Sequence, residues 1–228
     1  MRSAAGFRRL ADLALALVLL APAALLCAAV AAAVLIADGR PVLHLSPRAT
    51  VGGRVFRLCK FRTMRPDPAD SGITGGNKDA RITRLGRLLR RTHLDELPQI
   101  VNILRGDMGF VGPRPPLPAL VARFPEVYLP LLGERPGLTG LASLVFRRHE
   151  ARLLRDAPDQ AAADFTYARR CIPAKARLDA LRRDRGGPLL DLAILAGTLA
   201  GGTSLPFRHF RRRLRRHVAP LTLSQGKP

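Results

Sequence analysis

Asp95 and Glu96 are adjacent carboxylates in a chain of 228 residues that carries a net charge of +21. They lie in Arg-Thr-His-Leu-Asp-Glu-Leu-Pro-Gln-Ile-Val-Asn-Ile-Leu-Arg-Gly-Asp-Met-Gly-Phe-Val-Gly-Pro-Arg-Pro-Pro, residues Arg91–Pro116. Pro98 fits a helix only in its first turn. The spacing therefore predicts a helix opening near Asp95, capped by Thr92 or by Asp95 itself. Leu97, Ile100, Val101 and Leu104 fall on one face of it, Gln99 and Asn102 fall off that face, and Gly106 ends it. The Gly-Pro-Arg-Pro-Pro run then fixes the backbone around Arg114. An acidic pair beside a rigidly held arginine suits phosphate chemistry with a divalent metal. It suits a plain capping box equally well.

Three further cationic segments could serve the same chemistry. Val55 to Phe61, entered from a turn at Val51–Arg54, alternates as a short strand. Lys60 and Arg62 flank Phe61 and would share one side of an extended chain, where they could grip a diphosphate. A strand edge guarded by charge is the alternative. Arg135 opens a two-glycine turn, Arg135-Pro136-Gly137-Leu138-Thr139-Gly140, which could position a phosphate or simply reverse the chain. Arg81 begins a basic amphipathic helix ending at Arg91, with Ile82, Leu85, Leu88 and Leu89 as its apolar side. Such a helix can lie in a membrane interface with its cations toward lipid phosphates, or on an ordinary protein surface.

The elements that must position these groups begin with an apolar run. No charged residue occurs from Leu13 to Ala37, a length that could span a bilayer. A cleaved signal peptide, a spanning anchor and a re-entrant helical hairpin compete for it. Arginines flank both sides (Arg2, Arg8 and Arg9 before; Arg40, Arg48, Arg54 and Arg57 after), so both ends are expected in the cytoplasm. Pro22 removes a backbone hydrogen bond near the middle and bends the helix. The run is also long for a signal peptide. The hairpin is favoured.

Beyond the run, Pro66–Asn77 reads as a loop, Leu117–Leu132 as a helix followed by a loop, and Glu150–Arg170 as helical. Ile172 opens a further helix carrying Asp179, to which Arg183 offers an i,i+4 salt bridge. Asp191 begins a last apolar helix, Leu192–Leu199, closed by Gly201-Gly202. The tail from Arg208 to His217 is basic, with Phe210 and Leu214 interspersed, and suits an anionic membrane better than nucleic acid. Cys27, Cys59 and Cys171 show no metal-ligand spacing, which points to a reducing compartment. No zinc spacing, P-loop, dinucleotide fingerprint or RNA-binding motif occurs. The expected fold is α/β but mostly α. A basic flank and re-entrant membrane helix (1–40) precede a small cytoplasmic domain with membrane-surface amphipathic helices (41–205) and a basic tail (206–228).

With these residues laid out, the chain resembles the bacterial sugar transferases, the monotopic phosphoglycosyl transferase family, roughly from Phe7 to Leu199. The landmarks stand in family order. After the apolar hairpin come Lys60-Phe61-Arg62-Thr63-Met64, Arg81-Ile82-Thr83-Arg84-Leu85-Gly86 and Leu94-Asp95-Glu96-Leu97-Pro98-Gln99. Arg105-Gly106-Asp107-Met108, Val111-Gly112-Pro113-Arg114-Pro115 and the turn opened by Arg135 follow. The resemblance implies transfer of a sugar phosphate from a UDP-sugar to undecaprenyl or another polyprenyl phosphate, with UMP released. That is the first membrane step of exopolysaccharide, O-antigen, capsule or glycoprotein glycan assembly at the cytoplasmic face of a bacterial inner membrane. It implies Asp95 as nucleophile and metal ligand, Mg²⁺ as cofactor, and Glu96 as helper of the polyprenyl phosphate's attack. Lys60, Arg62, Arg114 and Arg135 would hold phosphates, with Asp179 and Arg81 in support and Pro22 at the membrane-helix bend.

Two departures from the family pattern are visible. Ala21-Pro22 stands where the family usually has Ser-Pro, so a hydroxyl that could satisfy freed backbone groups is missing. Leu141-Ala142-Ser143-Leu144-Val145-Phe146 replaces a common Trp-Ala-Gln-Val-Asn-Gly, in a region expected to influence which sugar is accepted. The expected form is the minimal catalytic one, with a UDP-sugar, a polyprenyl phosphate and anionic lipids as partners, no nucleic acid, and a homodimer left open. Two other classes compete: a non-catalytic basic membrane- or nucleic-acid-binding protein, and a conventional glycosyltransferase that would release UDP.

Overall fold

The computed structural model describes residues 2–66, 79–155 and 157–200. The proposed loop at Pro66–Asn77 lies almost wholly outside them, as do Gly201-Gly202 and the basic tail. Helix α1 (Arg2–Asp38) is followed by an antiparallel hairpin of β1 (Leu43–Ala49) and β2 (Val55–Phe61), in which His44 pairs with Lys60 and Ala49 with Val55. Then come α2 (Arg84–Thr92), a 3₁₀ segment (Leu94–Gln99), α3 (Ile100–Arg105) and β3 (Gly109–Val111). Next are α4 (Pro118–Arg123), α5 (Pro125–Leu131), β4 (Gly137–Thr139) and α6 (Leu141–Arg155). Helix α7 (Gln160–Thr166) runs through a π segment (Tyr167–Cys171) into α8 (Ile172–Arg185), and α9 (Pro188–Leu199) closes the described chain. Strands β3 and β4 pair in parallel. The fold is mostly helical with two small sheets, as the sequence implied.

Helix α1 contributes to two of the three apolar cores. Ala16 packs with Phe56, Leu58, Ile103, Met108 and Phe110. Val30 and Val34 pack with Phe61 and Leu89. The third core joins α6, α8 and α9 through Leu141, Phe146, Leu178 and Ile194. Between the two contact regions of α1, Leu17, Val18, Leu19, Leu20, Leu25 and Leu26 are exposed, and the helix continues through Pro22 without a break. Only 17% of its apolar window is buried. That is the pattern of a membrane-associated helix rather than of a soluble core helix.

Both ends of α1 are tied to the rest of the protein by polar side chains. Near its start, Arg9 donates to Ile103 O (2.6 Å) and Leu104 O (2.9 Å), carbonyls in the last turn of α3. Asp12 accepts from Phe110 N (3.1 Å). At its C-terminus Arg62 donates to the carbonyls of Arg40 (2.9 Å), Gly39 (2.9 Å) and Asp38, a favourable place for a cation. Thr83 donates to Asp38 Oδ2 (2.8 Å) while its own Oγ1 accepts from Gly86 N and caps α2. Gly86 is required there, because a Cβ would stand 2.2 Å from Thr63 O.

Several sequence expectations change. The segment after Thr92 winds first as 3₁₀, and its N-cap is His93, whose φ of 59° makes a left-handed turn with no side-chain cap. Thr92 instead donates back to Leu88 O and Leu89 O. Gly106 does end α3, at φ 86°. Gln99 and Asn102, expected off the apolar face, are 1% and 0% exposed, whereas Val101 is exposed. Asn102 explains this: it bonds Cys59 N, Arg57 O and Asp107 Oδ2, and so fixes α3 against β2. The Glu150–Arg170 helix is interrupted by Pro158, and Asp159 caps a new one by accepting from Ala162 N (2.7 Å). The Asp179–Arg183 pair does not form: Arg183 bonds Asp184 and Pro130 O. Residues expected as a turn at Arg135–Gly140 supply β4.

Candidate active site

A cavity of about 1230 Å³ opens between the 3₁₀ segment, the Pro-rich loop after β3, and helices α6 to α8. Lys60 reaches it from β2, Arg90 from α2, Asp95 and Glu96 from the 3₁₀ segment, Arg114 from the Pro-rich loop, and Asp179 from α8. The left-handed His93 is what turns the chain sharply from α2 so that both acidic residues face this space. Such a conformation costs a β-carbon residue about 1–2 kcal/mol and is concentrated at functional sites. The His93 ring also lies 3.0 Å from an Arg147 nitrogen.

The two carboxylates differ in environment. Glu96 Oε1 accepts from Arg114 at 2.8 Å. Burial pushes the Glu96 pKa up, but the Arg114 guanidinium, joined by His93 and Lys60, outweighs burial and holds it below the usual range. Asp95 is 7% exposed. Burial raises its pKa, Glu96 raises it further, and Lys60, Arg90 and His93 oppose them only through space. No donor among the described residues is bonded to its carboxylate. One carboxylate is thus pinned and the other left available to the cavity, the division that separates roles in a carboxylate pair.

Cations surround Asp95. Burial, followed by the neighbouring Arg114, Arg48 and Arg90, lowers Lys60 to about 8. Burial and Arg114 lower Arg48 to about 10, and Arg48 also donates to Pro115 O at 3.2 Å. Arg90 is held by Thr63 Oγ1 at 2.8 Å. Like charges crowded this closely, with few acids among them, are built to receive anions. Asp179, 5% exposed, accepts from Ala142 N (3.3 Å), and burial drives its pKa up to about 7.

Lys60, Asp95, Glu96, Arg114 and Asp179 are therefore brought together, and three other expected residues are not. Arg62 is corrected: β2 ends at Phe61, and the next side chain turns into the α1 terminus described above. Arg135 is corrected too, since it is exposed, donates to Gly106 O (3.2 Å) and does not line the cavity. Arg81 donates to Arg65 O (3.0 Å) beside the Met64–Ile82 bridge and does not line the cavity. Arg48, Arg90, His93 and Arg147 line it unanticipated. Arg48 was legible only as a charge flanking the membrane run, and Arg90 only as part of a basic helix.

Mg²⁺ takes hard oxygen donors and commonly binds one or two carboxylates together with substrate phosphates. The Asp95–Glu96 pair fits such an ion. Among the described residues no three acidic, His or Cys side chains converge into a closed cage.

The profile of the bacterial sugar transferases matches residues 3–199. The chain belongs to the bacterial sugar transferase family. It is 39% identical over 166 residues to the UDP-glucose:undecaprenyl-phosphate glucose-1-phosphate transferase of Caulobacter vibrioides, covering 70% of this chain and 61% of that protein. It is 36% identical over 170 residues to the undecaprenyl-phosphate glucose phosphotransferase of Komagataeibacter xylinus, covering 71% and 32% respectively. An Escherichia coli transferase with the same name as the Caulobacter protein is 35% identical over 167 residues, covering 71% and 36%. The match thus spans less than two thirds of each of these relatives. In this family member the matched region takes in α1 as well as every residue that lines the cavity near Asp95.

Proposed function

We propose that the chain transfers a sugar 1-phosphate from a UDP-sugar to undecaprenyl or another polyprenyl phosphate and releases UMP. The observation that carries this reading is the unbonded Asp95 carboxylate, set among Lys60, Arg90, Arg48 and Arg114 beside a pinned Glu96. An Asp95 oxygen bonds to the sugar-bearing phosphorus, and the bond from that phosphorus to the bridging oxygen breaks, so that UMP leaves with the electron pair. A polyprenyl phosphate oxygen then bonds to the same phosphorus, and the Asp95–phosphorus bond breaks to return the free carboxylate. Mg²⁺, held by Asp95 with Glu96, would neutralise diphosphate charge and stabilise the leaving phosphate. Lys60, Arg48 and Arg114 hold phosphate oxygens, so catalysis is largely positioning and charge stabilisation. Glu96 sits below the usual carboxylate range, which suits orienting Arg114 and the second phosphate better than taking up a proton.

The seating of α1 supports a re-entrant membrane helix on the cytoplasmic face of the bacterial inner membrane. Arg9 and Ala16 on one arm, and Val30, Val34 and Asp38 on the other, are gripped by one and the same body. Between the buried Ala16 and Val30 the largely exposed stretch 17–29 rises only about 20 Å at 1.5 Å per residue, short of a ~30 Å hydrocarbon core. α1 itself is one continuous helix, so re-entry requires it to bend at Pro22 within the bilayer, with the flanking arginines keeping both ends on the cytoplasmic side.

The test is nucleotide release by the detergent-solubilised protein, with Mg²⁺, undecaprenyl phosphate and a panel of UDP-sugars. The relatives' names include both glucose and N-acetylgalactosamine donors, so the panel holds both. UMP that depends on lipid and on one sugar is expected; UDP as the product would overturn the reading. A second expectation concerns pH. Because Lys60 loses its charge near pH 8, kcat/KM for the donor should fall above about that pH, where the free enzyme loses a phosphate-binding cation. Lys60→Arg should move this alkaline limb upward by more than one unit. An unmoved limb would assign it to another group.

A further inference from the structure

The cavity also holds a polar cluster that the phosphoryl chemistry does not use. Glu150 on α6, Tyr167 at the head of the π segment and Lys175 on α8 line it together. Lys175 Nζ donates to Glu150 Oε2 at 3.0 Å and to Tyr167 Oη at 3.4 Å, and stands 5.2 Å from the Tyr167 ring centre. The Lys175 and Glu150 side chains are only 20% and 24% exposed. A half-buried ion pair of this kind gains little over apolar packing, so stability alone does not account for it. The one-turn π segment is an independent sign. Such insertions cost helix regularity and concentrate at functional sites, and this one begins at the residue whose hydroxyl joins the pair.

Position and charge indicate what the trio takes. Glu150 acts electrostatically on Arg114, and Tyr167 on Arg48, so the trio stands near the phosphate-holding cations in the same cavity. Around Asp95 the lining is strongly cationic and α6 adds Arg147, Arg148 and Arg155 to the cavity, but within the trio itself the carboxylate and ammonium cancel. The trio is suited to a neutral group rich in hydroxyls, which both donate and accept, and not to another phosphate. α6 also begins at Leu141, where the chain departs from the family pattern, and Ser143 and Leu144 line the same cavity.

We propose that Glu150, Tyr167 and Lys175 form the subsite that recognises the hydroxyls of the donor's sugar and so set donor selectivity. This rests on the phosphoglycosyl transfer reading above. Full-length protein in lipid nanodiscs would be compared with Tyr167→Phe and Glu150→Gln, using UDP-glucose, UDP-galactose and their N-acetylamino counterparts. The ratio of kcat/KM between the best and second-best donor should fall at least about 10-fold, because a site built to bond a hydroxyl discriminates strongly by it. Inhibition by UMP should change less than twofold. An unchanged donor ratio, or an equal loss for every donor and for UMP, would overturn the subsite. Calorimetric titration with UDP-sugar and with UDP separates this outcome from failure of the parent reading. If the wild-type protein releases no UMP, an affinity gain from the sugar that both variants abolish still supports the subsite. A gain that they leave intact, or no gain at all, sinks it.

Discussion

Asp95→Asn is expected to reduce UMP release by at least about 10⁴-fold, the scale on which removing a nucleophile acts, and to leave no phosphosugar on the protein. Asparagine keeps the shape of the side chain and loses the oxygen nucleophile. The fold should not suffer. Burial and Glu96 both disfavour the Asp95 charge, so its raised pKa in the folded state means that ionisation costs stability as pH rises through that value. At neutral pH the asparagine variant should therefore melt at the same temperature as the wild type or higher. Glu96→Gln provides the contrast: it breaks the 2.8 Å bond from Arg114 but leaves Asp95 in place. Turnover should fall while the phosphosugar still accumulates, seen as a mass increase of the intact protein. An adduct on Asp95→Asn, or turnover within tenfold of wild type, would remove Asp95 from the nucleophile's role.

The sequence was most informative where one physical demand acts alone. A long charge-free run points to an apolar helix, and α1 is one, although it is continuous through Pro22 where a bent hairpin was expected. Alternation marked β2 to the residue, and Gly106 had to stop α3 because the chain there takes a positive φ. That Asp95, Glu96, Lys60 and Arg114 line one cavity could be anticipated because acids are few in this chain and each residue lies in a segment whose direction proline or strand pairing sets. Legibility failed where two partners present the same chemistry. A carbonyl cluster at a helix terminus and a phosphate are both acceptors for a guanidinium, so residue type could not separate Arg62 from a phosphate ligand. Arg135 failed for the same reason, ending on Gly106 O. Asn102 misled in the opposite sense. A polar residue at the wrong helical phase reads as solvent-facing, yet three hydrogen bonds make its complete burial tolerable. Lys175 and Tyr167 lie far from the acidic pair in sequence, and only the folding of α6 against α8 brings them to one cavity.

Arg62→Met should lower the melting temperature of the lipid-embedded protein by about 10 °C and leave the donor KM within twofold of wild type. Arg62 is 9% exposed, and its guanidinium donates to the carbonyls of Asp38, Gly39 and Arg40 at the end of α1. Methionine fills the space of the stem but donates to none of them. Hydrogen bonds from a charged donor contribute about 1.5–3 kcal/mol each, and part of the loss is recovered where water reaches the freed carbonyls, so a cost of about 3–5 kcal/mol is reasonable. For a chain of this size each kcal/mol moves the midpoint by roughly 2–4 °C. The consequence is local. Val30 and Val34 pack on Phe61 and Leu89 directly beside this cap, so releasing it loosens the returning arm of the membrane helix before it disturbs Asp95. A phosphate ligand would behave in the reverse way, with little change in melting and a KM for the UDP-sugar raised tenfold or more. Measured on one variant, the two readouts decide whether this arginine serves the membrane helix or the substrate.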